Sequence, residues 1–380
     1  MSNNRKSINR NLFRRLEKLL PSDSSVANEL KKGDTSVRYI HTESGSIAQE
    51  LLTNAKIVNS IKTYNNLMLF GVSFQSKIYL VITENQQLSG PFINGVTSVL
   101  DPDNSEQNIE KNPGLITFLF SQIEFPFVQS IGIGYDLMEK IFGREGFVDG
   151  KFSASEIMPF FSEFSVWELD EKYLPLNDNV LLALSSAYLI STSEKMNLIF
   201  EEETIQKFKL LTEDLPIRLI GGNIYRAVVA MEWKHTFLEL YQCIEFLFTI
   251  PYIIKLTSNL GDESHFKVLF QNIEDDLEWR PKENKALELL FREINENASV
   301  QELYDSCKKI FHISVANENE KKVELIAKYV YRTRNSIAHF RSNSDIVVSQ
   351  ESEWDELVSK LSMTVYDLYK KYSSQISLIS

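Results

Sequence analysis

Apolar residues recur along this chain at two different periods, and the places where the period changes outline its organisation. Leu12, Leu16 and Leu19 fall three and four residues apart among Arg5, Lys6, Arg10, Arg14, Arg15 and Lys18, the pattern of a helix with one buried face. From Ser36 to about Glu124 the spacing shortens. β-rich segments at Val37–Ile40, Asn66–Phe74, Lys77–Thr83 and Leu115–Phe120 predict strands. Leu67, Leu69, Val72 and Phe74 oppose Ile78, Leu80 and Ile82 across Gln75-Ser76, as in a hairpin. Asp101-Pro102-Asp103-Asn104 and Asn112-Pro113-Gly114 are turn sequences. From about Ser130 the helical period returns. Ser153 and Glu156 have capping-box spacing ahead of Ile157, Phe160, Phe161 and Phe164, and Leu181–Ile190 and Glu203–Leu211 predict two further helices.

Gly221-Gly222 is the only pair of adjacent glycines, and long amphipathic segments follow it at Ala227–Ser258, Asn284–Asn295, Glu320–Ser336 and Glu353–Tyr372. That series predicts a helical bundle. A joint at the paired glycines divides the chain into residues 1–222, a mixed α/β domain, and residues 223–380, an all-α domain. The fold class expected is therefore α+β, and 380 residues fit more than one domain.

A net charge of -12 argues against a protein that coats nucleic acid with its whole surface. The charge is unevenly spread. Between Lys321 and Arg341 the cations Lys321, Lys322, Lys328, Arg332, Arg334 and Arg341 face Glu324 alone, a basic island suited to a phosphate backbone. The two cysteines, Cys243 and Cys307, support neither a disulfide framework nor a zinc site, which points to a reducing, cytoplasmic setting. The Arg-rich start lacks the uninterrupted apolar core of a secretory signal. The longest apolar run, Ile244–Leu256, is interrupted by Glu245, Pro251 and Lys255, so no membrane span is expected.

The basic island contains Arg334-Asn335-Ser336-Ile337-Ala338-His339, near the end of a helix expected to begin near Asn319. Val323, Ile326 and Val330 mark that helix's buried face, and Arg334 falls on the same stripe. A guanidinium there needs a carboxylate, a phosphate or a partner subunit to offset its desolvation. RNA carries its own nucleophile, the 2'-OH, so cleavage needs a group to move protons and a cation to neutralise the phosphoryl oxygens. A histidine titrating near 6.5 and an arginine with its planar donor fork meet those needs.

Arg-Asn-x-x-Ala-His at a helix end in an all-helical region resembles the HEPN superfamily, whose motif is Arg, four to six residues, then His, often with a polar residue after the Arg. Asn335 fills that polar place. Phe237–Phe248 resembles the long first helix of HEPN domains, with Glu245 in the position of its acidic residue. The resemblance covers roughly the last 155 residues. It implies a metal-independent endoribonuclease with Arg334, His339 and Asn335 catalytic, Glu245 supporting, and Lys328, Arg332 and Arg341 contacting RNA. It also implies a homodimer whose two motifs form one cleft, 2',3'-cyclic phosphate and 5'-OH products, no cofactor, and a toxin-like role in anti-phage defence under a phage trigger or an antitoxin. Two other readings stand beside it: a non-catalytic interaction module in which Arg334 pairs with Glu245 to hold helices together, and a nucleotide-sensing module. Gly132-Ile133-Gly134 lacks the third glycine of a dinucleotide loop, Gly45-Ser46 has no nearby paired acid, and His41, His235, His265 and His312 have no spaced ligand partners.

Overall fold

The computed structural model describes residues 5–20, 38–42, 46–63, 67–83, 91–98, 112–122, 125–128, 133, 141–142, 150–192, 198–260, 265–273, 281–312, 322–338 and 350–379. The chain is α+β and forms two compact units, Met1–Leu176 and Asn177–Ser380.

In the first unit, α1 (Arg5–Glu17) buries Ile8, Leu12, Phe13 and Leu16; Leu12 and Leu16 are on the stripe its spacing predicts, whereas Leu19 falls beyond the helix and is half-buried. After β1 (Tyr39–Ile40), α2 (Ile47–Asn54) starts at Ser46, whose hydroxyl accepts the Gln49 N–H at 3.4 Å. The strands β2 (Lys56–Lys62), β3 (Met68–Phe74), β4 (Lys77–Thr83), β5 (Val96–Ser98) and, later in the chain, β7 (Phe164–Leu169) form an antiparallel sheet ordered β2-β3-β4-β7-β5. The β3–β4 hairpin turns at Gln75-Ser76 as the alternation predicts, with φ of 47° and 66°. Those positive angles match the right-handed twist of the strands they join. Between β5 and β7 lie α3 (Pro113–Gln122), β6 (Lys151–Phe152), which pairs in parallel with β1, and α4 (Ala154–Ile157).

Two expectations change here. Leu115–Phe120 is helix, not strand: Asn112 accepts the Gly114 N–H at 2.9 Å as a cap, and Gly114 to Ser121 of α3 are all buried. A helix buried on every side shows no polar period and reads like a core strand. The capping box before α4 does form, with Glu156 accepting the Ser153 N–H at 2.7 Å, but the helix ends at Ile157 and Phe164 opens β7. The Asp101 turn, Gly45, Gly132 and Gly134 lie outside the described residues.

The second unit opens with α5 (Asp178–Ser191), α6 (Glu202–Asp214) and α7 (Ile217–Val229), and continues through α8 (Trp233–Glu245), α9 (Ile250–Leu260) and α10 (Phe266–Gln271). Then come α11 (Glu283–Glu293), α12 (Ala298–Ile310), α13 (Lys322–Ala338), α14 (Glu351–Lys371) and α15 (Ser373–Ile379). The long helix α14 is central and packs against α6, α8, α11 and α12. The run expected from Ala227 to Ser258 is therefore three pieces. The break before α9 precedes Pro251, whose fixed φ and missing N–H suit a first helical turn.

The boundary falls between Leu176 and Asn177 rather than at Gly222. Gly221 and Gly222 lie inside α7, which packs closely on α5. A Cβ on Gly221 would sit 2.0 Å from the Asn179 carbonyl oxygen, and the Gly222 N–H donates to Asn179 Oδ1 at 3.2 Å. The glycines let two helices approach; they do not make a joint.

Candidate functional site

Helix α13 buries Ile326, Ala327, Val330 and Thr333 against α8, α11 and α12. Val323 is half-buried, at the margin of this face, and Asn319 lies outside the described residues. Arg334 follows Thr333 at the edge of the stripe in the last turn, with its side chain 22% exposed. A cation suits that position because the helix C-terminus carries partial negative charge.

The guanidinium is held from several directions. Its Nη2 lies 3.3 Å from Glu245 Oε1, the last residue of α8, and 3.7 Å from Glu283 Oε1, the first residue of α11. Nη1 donates to Asn335 Oδ1 at 3.0 Å. The guanidinium carbon stands 5.6 Å from the centre of the Tyr241 ring, within cation–π range. Tyr241, 1% exposed, donates its hydroxyl to Glu283 Oε2 at 2.9 Å. Burial first, then the Glu283 carboxylate, pushes the Tyr241 phenol well above the usual tyrosine range, so it stays a donor.

The helix ends explain the charges. Glu283 sits at the positive end of α11, which stabilises an anion, whereas Glu245 sits at the negative end of α8 and needs a nearby cation. Arg334 supplies it. Two donors of the five-donor fork are engaged by hydrogen bonds; the others have no acceptor among the described residues. Chemically, this is an oriented cation beside two carboxylates and a neutral phenol.

The structure thus brings together Arg334, Asn335 and Glu245. It does not add Lys328 and Arg332 to the group. Both are exposed, four residues apart on one solvent face, and Arg332 lies roughly 200° around the helix from Arg334. Lys322 of the basic island donates to the Asn295 carbonyl at 3.2 Å. His339, Arg341 and Lys321 lie outside the described residues.

Two participants, Tyr241 and Glu283, were not singled out from sequence. Tyr241 precedes Glu245 by four residues, which puts both on one helix face. Glu283 follows Pro281-Lys282 at a helix start, a common place for an acid, but nothing local ties it to Arg334. Cys243 and Cys307 are buried free thiols, pushed up by burial, Cys307 to about 12. Trp233–Asn259 has the length and composition to cross a bilayer, yet 56% of its apolar window is buried within the protein, the usual position of a core segment. No family model, curated protein or solved structure matches this chain.

Proposed function

We propose that residues 177–380 form a HEPN-like helical domain and that the protein is an endoribonuclease cutting RNA without a metal. The observation that supports this reading most is that Arg334, on the helix bearing the Arg-Asn-x-x-Ala-His sequence, keeps its side chain 22% exposed. Its neighbour Glu245 is the acid that the HEPN resemblance singles out. Both side chains remain partly exposed, so a substrate phosphate can reach the guanidinium.

In the reaction, His339 takes the proton of a ribose 2'-OH, the 2'-oxygen bonds to the adjacent phosphorus, and the P–O5' bond breaks. The 5'-oxygen takes up a proton from an imidazolium, leaving a 2',3'-cyclic phosphate and a 5'-OH. Arg334 neutralises the phosphoryl oxygens through its remaining donors, and Asn335 fixes the guanidinium through its amide oxygen. Glu245, Glu283 and Tyr241 act as positioning residues. Lys328 and Arg332 follow the RNA backbone from their solvent face, and Arg341 joins them. By the same resemblance the active form is a homodimer with a composite cleft. The biological role is that of a cytoplasmic, toxin-like effector of anti-phage defence, restrained until a phage trigger arrives or an antitoxin is lost.

The test is cleavage of total RNA and tRNA in EDTA by the wild type, His339→Ala and Arg334→Ala, with the new ends assayed for cyclic phosphate. Cutting by the wild type alone, reduced by about 100-fold or more in both variants, is the expected result. No cutting by a folded, dimeric wild type, even with phage lysate added, overturns the reading.

One observation favours a second reading. Arg334 already contacts two carboxylates and links α8, α11 and α13, as it would in a non-catalytic interaction module. In that case His339→Ala leaves dimerisation and cellular effect unchanged, and only variants that break the ion pair have a phenotype.

A further inference from the structure

Helix α12 ends at Ile310, and Phe311 and His312 close it, His312 with a φ of 48° that turns the chain away from the helix axis. Phe311 lies against Tyr329 of α13, with ring centroids 4.8 Å apart and an angle of 18° between the planes. This stack packs α12 on α13. It is more than packing, because both residues remain half-exposed, and the Tyr329 hydroxyl is neither buried nor hydrogen-bonded among the described residues.

Cations surround the pair. On α13, Lys328 holds its ammonium 5.8 Å from the centre of the Tyr329 ring, and Arg332 follows Tyr329 by three residues, one turn along the same side. On α12, Lys308 precedes Phe311 by three residues, and the His312 side chain is exposed next to Phe311. Lys328, Arg332 and His312 have no ion pair or side-chain hydrogen bond among the described residues. The neighbouring acids are engaged elsewhere. Asp305 accepts from Gln301, and Glu356 pairs with Lys309. Glu324 of α13 adds to Glu288 in raising the Lys285 ammonium of α11, so it lies toward α11 rather than α12.

Exposed cations by themselves are an ordinary solvated face. Exposed, near-parallel aromatic rings among them are not, because nucleobases stack on such rings while the cations match the phosphates on either side. We propose that Phe311 and Tyr329, with Lys308, His312, Lys328 and Arg332 around them, form a stacking surface that holds single-stranded RNA. A duplex keeps its base faces stacked on one another and can use only the charges. The surface deepens the ribonuclease reading and rests on it for its use, since it holds the strand about one and a half turns along α13 from Arg334. Binding can be measured apart from cutting.

The experiment is fluorescence anisotropy with a single-stranded RNA of about twelve nucleotides, 2'-O-methylated so that it lacks the nucleophile and survives, beside the same RNA as a duplex and beside poly-glutamate. The full chain is compared with Phe311→Leu, Tyr329→Leu, the double variant Lys328→Gln with Arg332→Gln, and Lys56→Gln on β2 as a control. The single strand is expected to bind at least about tenfold tighter than the duplex. Each leucine variant keeps apolar contact between α12 and α13 and should weaken binding about five- to tenfold, with the helical dichroism spectrum unchanged. The double variant should flatten the dependence of log affinity on log salt by about 0.7 for each cation removed, and Lys56→Gln should leave it as it is. Should a leucine variant fail to fold, the double variant and the comparison of strand with duplex decide. Equal affinity for strand and duplex, leucine variants that fold and bind as the wild type does, an equal loss in Lys56→Gln, or tighter binding of poly-glutamate, which marks an acidic protein partner, each overturns the proposal. Single-strand binding through these residues by a protein that cuts no RNA supports the surface and counts against the ribonuclease. RNA cutting with KM unchanged in both leucine variants overturns the surface and leaves the ribonuclease standing.

Discussion

Arg334 is held by an acid at the end of one helix, a second at the start of another, and the face of a buried tyrosine. Because the ions are partly exposed, the Arg334–Glu245 contact contributes about 1 kcal/mol at most. The Tyr241 hydroxyl, buried and donating to a carboxylate, matters more. Tyr241→Phe is expected to cost about 1.5 to 3 kcal/mol, measured by urea unfolding, and to loosen the clamp on Arg334. The same side chain predicts a pH effect. Burial raises the phenols of Tyr241 and of Tyr369, which donates to the Cys243 carbonyl at 2.9 Å, above the value near 10 of an unfolded tyrosine. Between the two values the unfolded chain releases protons that the folded chain retains. This contribution to stability is therefore whole below about pH 10 and is lost as pH rises further. Urea midpoints at pH 8 and pH 11 should show the fall, and Tyr369→Phe should reduce it. From sequence, the need of Arg334 for a counter-ion was legible in its position on an apolar stripe, and Glu245 was named for it. Glu283 was not, since an acid at a helix start is equally at home facing water.

At the scale of elements, two contacts between helices depend on single residues distant in sequence. Glu201 precedes α6 without a side-chain cap of its own, and Asp355 of α14 fills the role, accepting the Glu201 N–H at 3.1 Å and the Thr204 hydroxyl at 2.9 Å. Asp355→Ala should cost about 1 kcal/mol or more, and Asp355→Asn, which keeps an acceptor, much less. Burial raises the Asp355 carboxyl above its ordinary value, so its share of stability is whole below about pH 4 and is lost as pH rises through the folded value. The Asn variant should accordingly gain on the wild type as pH rises above about 4, read from paired urea midpoints. Gly221→Ala tests the other contact. In an open helix it would add about 1 kcal/mol of stability; here a Cβ 2.0 Å from the Asn179 oxygen should remove about 2 kcal/mol instead. Local signals made the β3–β4 hairpin and the capping box legible, because alternation and cap chemistry act within a few residues. β2 escaped notice as an edge strand without a buried position, and α3 because its uniform burial hides the helical period.

For the whole molecule, the position of the division decides which pieces can fold. A boundary at Gly222 would make residues 223–380 a self-sufficient bundle, but that piece begins inside α7 and lacks α5 and α6 entirely. Helix α6 packs on α14, and α7 packs on α8, the helices at the centre of the bundle. Phe208, Leu211 and Ile220 are buried in this unit, at 1%, 0% and 2% exposure, and would be missing. Each contributes about 1.5 to 3 kcal/mol by burial, so losing these three and their neighbours uses up most of the 5 to 15 kcal/mol that separates an ordinary folded domain from its unfolded chain. Residues 177–380 keep all of these contacts. Expressed separately, that fragment should show a helical far-UV dichroism spectrum and one cooperative melting transition, whereas residues 223–380 should melt without cooperativity or fail to fold. If the shorter fragment melts as sharply as the longer, the three preceding helices are an appendage, and the domain that bears Arg334 starts at the glycines after all.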